Sequence, residues 1–184
     1  MGVAKILPWN DTDMQALRDT ARVLGTSPEW LYKLIMFESG GDPLIRAKMP
    51  YNAAQVKAGA QPRYARGLIQ FIDSTAASLG YRDSLDLVEK HPSRVSQLLG
   101  PVRQYLSQFK PLSSEQSLYM AVFYPAARSW PMDRPFPPNV QAANPGIKTP
   151  GDYVAFVRRR AAPTIAALAG GSLGLLLLAG FFFL

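Results

Sequence analysis

The sequence predicts a mainly α-helical body, followed by an apolar C-terminal helix that is transmembrane or otherwise hydrophobic. Apolar residues recur at the three- and four-residue spacing of helices, between residues that commonly cap helices. No segment has the alternation of a long strand. After Arg160 the chain has no charged residue. We therefore place the body at residues 1–160 and the hydrophobic anchor segment at residues 161–184.

The composition indicates one folded domain in the body. Hydrophobic residues make up 48% of the chain and charged residues 18%. That much apolar surface can offset the entropy lost on ordering, which excludes a disordered chain. A body of about 160 residues is of the usual size for a single domain.

Two helices are predicted before residue 42. Asp11 or Asp13 can cap the first, Gly25 can end it, and its apolar positions are Met14, Leu17, Ala21 and Leu24. The segment 26–29, Thr-Ser-Pro-Glu, has a capping-box pattern with its proline in the first turn. This second helix should run through Glu38 and end at the Gly-Gly pair 40–41.

The middle of the chain is less regular. Residues 42–66 contain three prolines without clear periodicity and are predicted to form a long loop. Residues 67–72 are a short apolar run, and Asp73 with the next two residues can cap a helix that ends at Gly80. From Leu85 to Phe109 the pattern is helical, with interruptions near Pro92 and at the Gly-Pro pair 100–101.

A nearly apolar helix is predicted after residue 113. Residues 113–116, Ser-Ser-Glu-Gln, form a capping-box pattern, and Pro125 should stop the helix that follows. An apolar surface all round indicates a central position in the body. Residues 131–150 contain six prolines and should wrap the surface, and residues 151–157 should form a last helix that leads into Arg158–Arg160.

The charge and the rare residues narrow the chemistry. The net charge of +7 suits an anionic partner: phospholipid, nucleic acid or an acidic wall polymer. Nucleic acid is not expected, because the basic residues are scattered and no recognised binding motif accompanies them. There is no cysteine, and the one histidine, His91, lies in a predicted helix end. We therefore expect no metal site, no cofactor and no Ser-His-Asp triad.

The C-terminal segment is long enough to cross a bilayer. Thr164 to Leu184 are 21 residues, or about 31 Å of helix. The alternatives are a buried core helix and a hydrophobic plug inside a larger assembly. Arg158–Arg160 precede the segment, and by the positive-inside rule they would leave the body on the cytoplasmic side.

Glu38 is the candidate catalytic residue. Leu31, Leu34 and Ile35 lie seven, four and three positions before it, so its carboxyl group projects from the apolar side of the helix. Burial and the helix C-terminus both disfavour the charged form and raise the pKa, as a general acid near neutral pH requires. The alternative is a glutamate turned to solvent at a frayed helix end.

Several short motifs together resemble the lytic transglycosylase and goose-type lysozyme superfamily. They are Glu-Ser-Gly-Gly at 38–41, Gly-Leu-Ile-Gln-Phe at 67–71, Ser-Thr at 74–75 and Val-Phe-Tyr-Pro-Ala-Ala at 122–127. The resemblance covers roughly residues 26–127, and residues 145–154 look like the family's closing helix. It implies a lysozyme-like helical domain.

The resemblance also implies roles for individual residues. Glu38 matches the catalytic acid and base, and Ser39 matches the residue that holds this acid or the sugar. The expected substrate-binding residues around the glycan are Gln70, Phe71 and Ile72. Tyr124 matches the tyrosine whose hydroxyl touches the catalytic carboxylate or the substrate. Pro125 and Ala127 depart from the family's Asn and Gly, and the loop after Glu38 is longer than usual.

The implied reaction is cleavage of the MurNAc–GlcNAc β-1,4 bond of peptidoglycan, with formation of 1,6-anhydro-MurNAc. Because the substrate supplies the nucleophile, one carboxylate is enough. One alternative is a goose-type lysozyme-like hydrolase, in which Asp42 or Asp73 would orient a water molecule. A cap or turn role is the other interpretation of each aspartate.

The expected location is a virus particle. The N-terminus has no secretory signal, yet wall chemistry requires access to the periplasm. A bacteriophage virion-associated enzyme, anchored in a membrane through residues 161–184, would reach the cell wall without export. The remaining alternative is a catalytically idle structural or penetration protein, with other virion proteins as its partners.

A set of basic residues flanks the predicted glycan site. These residues can steer an anionic glycan toward Glu38, or they can belong to a solvated loop. They are Arg46, Lys48, Lys57, Arg63 and Arg66.

Overall fold

The computed structural model describes residues 8–48 and 63–168. The helices in these ranges are α1 (Asp11–Leu24), α2 (Pro28–Ser39), α3 (Asp73–Ser78), α4 (Ser84–Lys90), α5 (Arg94–Gln97), α6 (Arg103–Ser107), α7 (Glu115–Phe123), α8 (Pro138–Ala143) and α9 (Pro150–Leu168). A π-helical turn (Leu98–Val102) joins α5 to α6, and a 3₁₀ turn (Pro125–Ala127) follows α7. The prediction of a mainly helical protein is confirmed.

The caps of the first two helices explain their bounds. Asn10, rather than Asp11 or Asp13, caps α1, and Asp13 completes a reciprocal capping box three residues later. Ser27 caps α2, and Pro28 occupies its first turn. Gly40 ends α2 with φ +62°. A left-handed residue is required at this position, and glycine adopts it without steric cost.

A two-stranded antiparallel ribbon replaces part of the predicted loop. Strand β1 (Arg46–Lys48) pairs with β2 (Tyr64–Arg66), and Arg46 lies opposite Arg66. The prediction of a long loop at residues 42–66 was therefore wrong where these two strands lie. Three-residue strands with charged side chains lack the apolar alternation by which strands are detected. Residues 49–62 lie outside the described residues.

Three helices build the centre of the fold. Helix α9 packs against α2 and α7, and α2 also contacts α7. Helix α7 is buried on nearly all sides, as its apolar sequence predicted. Glu115, at the start of α7, forms an ion pair with Arg158 of α9 and accepts a hydrogen bond from Tyr119. This packing brings α9 against the helix that carries Glu38.

Only part of the proline-rich segment 131–150 lies on the surface, although the whole segment was predicted to do so. Residues 131–135 are exposed as expected, but Phe136 is buried and its backbone N–H donates to the Lys148 carbonyl across 2.8 Å. Helix α8 lies between these two residues. This short helix was not recognised in the sequence, because two prolines lie at its start.

Helix α9 continues across the predicted boundary at residue 160 and is described as far as Leu168. Among the described residues, no helix combines the length and the apolar character that crossing a membrane requires. The predicted anchor lies mostly at residues 169–184, outside the described residues.

Candidate active site

Glu38 occupies the last turn of α2, two residues before the glycine that ends the helix. Leu31, Leu34 and Ile35 on the same helix are fully buried, as the apolar spacing predicted. The Glu38 side chain is half-buried rather than sealed in the core. The residue as a whole is thus partly exposed, while its carboxyl group is strongly desolvated.

Tyr153 of α9 holds the Glu38 carboxyl group. Its hydroxyl donates a hydrogen bond to Glu38 Oε1 across 2.9 Å. The tyrosine is fully buried, and its ring stacks on Phe123 at a centroid distance of 4.2 Å and meets Phe37 edge-on at 5.7 Å. These aromatic contacts fix the position of the hydroxyl, because the ring has little room to move.

Burial raises the pKa of Glu38 from 4.5 to about 7, and the Tyr153 hydrogen bond partly opposes this shift. Desolvation disfavours the carboxylate, whereas a donated hydrogen bond favours it. Burial, together with the neighbouring Glu38, raises the pKa of Tyr153 well above its ordinary value, so that this hydroxyl stays a donor. Near neutral pH, Glu38 can therefore give a proton and take one back.

Ser39 joins the end of α2 to the segment that follows the ribbon. Its hydroxyl lies 2.9 Å from the carbonyl oxygens of both Ile35 and Leu68, and it accepts a hydrogen bond from the Gly41 N–H. The side chain is only 1% exposed. Of the two roles expected for Ser39, holding the helix end that carries Glu38 matches these contacts, whereas its burial leaves no surface for a sugar.

Gln70 is the only non-glycine residue in the described ranges with positive φ, at +56°. Its backbone N–H and its side-chain amide both donate to the Gly67 carbonyl oxygen, across 3.2 and 2.9 Å. A left-handed backbone at a residue with a Cβ is strained and is often found at functional sites. The strained turn at residues 67–70 presents Gln70 half-buried, where a ligand can reach it.

The two residues after Gln70 have different surroundings. Phe71 is buried and contacts the ring of Tyr105 edge-on, so its side chain is part of the core. That it binds substrate stays a prediction. Ile72 is half-buried and caps the start of α3 through its backbone. Its side chain remains a candidate for contact with a sugar.

Gln97 is a positioning residue that the sequence did not reveal. It is fully buried; its Oε1 accepts from the Leu68 N–H across 2.8 Å, and its amide donates to the carbonyl oxygens of Pro43 and His91. A Cβ at Gly67 would lie 2.6 Å from Gln97 Oε1, so glycine is required there. Together, Ser39 and Gln97 bind both backbone groups of Leu68.

Within the described residues, Tyr124 makes no hydrogen bond with the Glu38 carboxyl group, whose partner is Tyr153. Its half-buried ring contacts Trp130 and Phe136 edge-on, at centroid distances of 5.8 and 5.7 Å. The hydroxyl on Glu38 belongs to Tyr153, so this part of the expectation for Tyr124 was wrong. Contact between Tyr124 and a substrate stays a prediction.

The two aspartates considered as second carboxylates are engaged in local structure. Asp42 accepts a hydrogen bond from the Leu44 N–H across 2.8 Å, which forms a turn. Asp73 accepts from the backbone N–H and the hydroxyl of Ser84. Asp73 was expected to cap α3, but Ile72 occupies the cap position and no side chain caps this helix.

His91 has a structural role in the described part of the chain. It ends α4, and its Nε2 lies 2.8 Å from the Tyr81 hydroxyl. Within residues 8–48 and 63–168, no three histidine, aspartate or glutamate side chains come together in a way that could hold a metal ion.

Comparison with other proteins gives no relative of this chain. No protein-family model, no characterised protein sequence and no solved structure matches it significantly. The residues around Glu38 and the short motifs of the sequence are therefore the features that indicate a function.

Proposed function

We propose that the protein is a peptidoglycan lytic transglycosylase, with Glu38 as its single catalytic acid and base. The observation that carries the proposal is the desolvated Glu38 carboxyl group, whose pKa is raised to about 7 and to which Tyr153 donates a hydrogen bond. The Glu-Ser-Gly-Gly and Gly-Leu-Ile-Gln-Phe motifs support the same function, since Ser39 binds the backbone of the second motif.

The reaction has two proton transfers. Protonated Glu38 first gives its proton to the oxygen of the MurNAc–GlcNAc bond; the bond from this oxygen to MurNAc C1 breaks, and GlcNAc leaves as an alcohol. The Glu38 carboxylate then takes the proton of the C6 hydroxyl of the same MurNAc, whose oxygen bonds to C1. A 1,6-anhydro ring forms, no water is consumed, and Glu38 ends protonated.

This route needs only one carboxylate, whereas inverting hydrolysis needs two, so a site built on Glu38 favours this route. An inverting hydrolase needs a second carboxylate to activate water, at a separation of about 6.5 to 9.5 Å between the carboxyl groups. Asp42 and Asp73, the two candidates, each use a carboxylate oxygen to hold a turn or a neighbouring helix.

Mass spectrometry of digested cell wall tests the proposal. Purified peptidoglycan incubated with the protein should release fragments with 1,6-anhydro-MurNAc ends, and Glu38→Gln should reduce their rate of release by about 100-fold or more. Reducing MurNAc ends would show hydrolysis. Wild-type activity in Glu38→Gln would remove Glu38 from the mechanism, and a wild-type protein without activity would favour an idle structural role.

The proposal extends to location: a phage particle that carries the enzyme for local wall degradation, with residues 161–184 in a membrane. The run of 24 uncharged residues after Arg160 supports a membrane contact. Fractionation of purified particles tests this proposal, because the protein should remain with the membrane fraction after extraction with high salt. Recovery only with soluble or tail fractions would contradict it.

A further inference from the structure

One face of the β1–β2 ribbon is cationic. The antiparallel register places Arg46 opposite Arg66 and Lys48 opposite Tyr64, so these four side chains share a face, which we call the cationic face. Arg46 and Lys48 are exposed, and Tyr64 and Arg66 are half-buried. The opposite face carries two alanines, of which Ala65 is buried. The cationic face therefore points away from the core.

The three positive charges on this face differ in their surroundings: Arg66 donates a hydrogen bond to the Ser84 hydroxyl across 2.7 Å, and that hydroxyl in turn donates to the Asp73 carboxylate, whereas Arg46 and Lys48 are exposed. None of Arg46, Lys48 and Arg66 forms an ion pair within the described residues. The guanidinium carbons of Arg46 and Arg66 lie 5.2 and 5.0 Å from the centre of the Tyr64 ring. Like charges directly opposite each other destabilise a ribbon, so an anion that binds here would relieve a repulsion.

The cationic face is joined to the candidate active site by backbone hydrogen bonds. Arg66 exchanges two of them with Phe71, across 2.9 and 2.7 Å, directly beside the Gln70 turn. Leu68, two residues after Arg66, contacts the Ser39 hydroxyl. These links limit the distance between the Cα atoms of Glu38 and Arg66 to no more than about 20 Å. One polymer chain can reach both.

We propose that the cationic face binds the carboxylates of the peptides that branch from the glycan strand, an inference that depends on the proposed function. The sugar backbone of peptidoglycan is uncharged where the lactyl groups carry peptides, and its negative charge lies on the carboxylates of those peptides. The planar guanidinium groups of Arg46 and Arg66 match a carboxylate in shape and charge. The ribbon would thus select strands that carry peptides and hold them beside Glu38.

The test compares soluble glycan strands with and without their peptides. Full-length Glu38→Gln protein, which should not cleave them, is titrated with fluorescent strands before and after an amidase has removed the peptides. Arg46→Gln and Lys48→Gln should each weaken binding of peptide-bearing strands by about tenfold and leave binding of stripped strands unchanged. Arg46→Lys, which keeps the charge but loses the planar group, should fall between the two.

Lys110→Gln is the matched control, because Lys110 is an exposed cation without an ion pair among the described residues. It should bind both kinds of strand as Glu38→Gln alone does. An equal loss in this control, or an equal loss on stripped strands, would overturn the proposal in favour of general charge attraction. If Arg46→Gln and Lys48→Gln weaken binding to phosphatidylglycerol vesicles but not to peptide-bearing strands, the proposal is also overturned, and the face binds a membrane surface.

The proposed function and the cationic face can fail separately. If the wild-type protein releases no anhydro ends but the binding differences appear, the catalytic proposal fails and the peptide-binding face stands. If cleavage is normal and the ribbon variants bind peptide-bearing strands as tightly as the parent does, the proposal for the cationic face alone is wrong.

Discussion

Tyr153 donates a hydrogen bond to Glu38 across 115 residues of sequence. The contact exists because α9 packs along α2. This packing affects the pKa of Glu38 in two opposite ways. Burial raises the pKa, and the hydroxyl restrains the rise so that the value stays at about 7. An acid that must give a proton and then take one works best with a pKa close to the working pH.

Tyr153→Phe should shift the alkaline limb of the pH–activity profile to higher pH. Without the donated hydrogen bond the carboxylate is less favoured, so the pKa of Glu38 should rise further, by about one unit. The protonated acid then persists to higher pH, while the rate at neutral pH should fall because the carboxyl group is no longer oriented. The measurement is the pH dependence of kcat/KM.

Tyr119→Phe is the control for this prediction. Tyr119 is also fully buried and donates to a carboxylate, that of Glu115, across 3.2 Å. Its replacement should cost similar stability without moving the pH profile. An alkaline limb that stays in place in Tyr153→Phe, or that moves equally in both variants, would contradict the role given to Tyr153.

Glu38→Gln should make the protein more stable than the wild type at alkaline pH. The pKa of Glu38 is higher in the folded than in the unfolded state, so the folded protein binds more protons between pH 4.5 and about 7. The free energy of unfolding of the wild type should therefore fall as pH rises through this window. The amide cannot ionise and escapes that loss, which reaches about 3 kcal/mol for a pKa raised from 4.5 to about 7.

Urea unfolding at pH 4 and pH 8 measures this difference. The two proteins should differ little at pH 4, and the glutamine variant should be the more stable at pH 8. Glu89→Gln, at an exposed acid, should follow the wild type at both values. A stability difference between Glu38→Gln and the wild type that does not change with pH would show that folding does not shift the pKa of Glu38.

Gln97→Leu should lower stability and activity without moving the pH profile. The change leaves the Leu68 N–H and two carbonyl oxygens without their partner, which should cost about 3 kcal/mol. The Gln70 turn should shift, so KM should rise. Glu38 keeps its own surroundings, so the alkaline limb of kcat/KM should stay in place.

Gln104→Leu provides the comparison for Gln97. Gln104 is exposed and makes one long hydrogen bond, to the Leu79 carbonyl oxygen across 3.3 Å. This variant should retain both stability and activity. If Gln97→Leu also retained both, the anchoring of the Leu68 backbone by that side chain would not matter for the site.

A pair of variants at Gln70 separates backbone strain from the side chain's function. Gln70→Gly and Gln70→Ala both remove the amide, and both should lower activity by about tenfold. Only glycine relaxes the positive φ, so Gln70→Gly should be the more stable of the two by about 1 kcal/mol. Thermal unfolding compares them, and equal stability would show that the turn is not strained.

The local parts of this fold were predictable from sequence, because capping residues and apolar spacing act within a few positions. Pro28 and Gly40 lie at the two ends of α2 as the pattern predicted, although Ser27 caps the helix and no capping box with Thr26 forms. The position of Glu38 at the end of the apolar side of this helix singled it out. The strands at 46–48 and 64–66 were missed, because what holds them is a pairing across 15 or more residues and not an alternation within either one.

The partners of Glu38 were not predictable in the same way. Tyr153 lies on a helix whose sequence gives no sign that it packs beside α2, so the family resemblance directed attention to Tyr124 instead. Gln97 looks like an ordinary polar residue of a broken helix, and only the fold places it against Leu68. Long-range contacts of this kind depend on tertiary packing, which local patterns do not encode.

Titration of the Glu38 carboxyl carbon by NMR measures whether burial raises the pKa of this group in the folded protein. With ¹³C-labelled glutamate, and with the resonance assigned by its absence in Glu38→Gln, we expect a pKa of about 7 in the folded protein. Such a value means that the acid and its conjugate base are both present near neutral pH. A value near 4.5, the ordinary range of a solvated glutamate, would contradict the account.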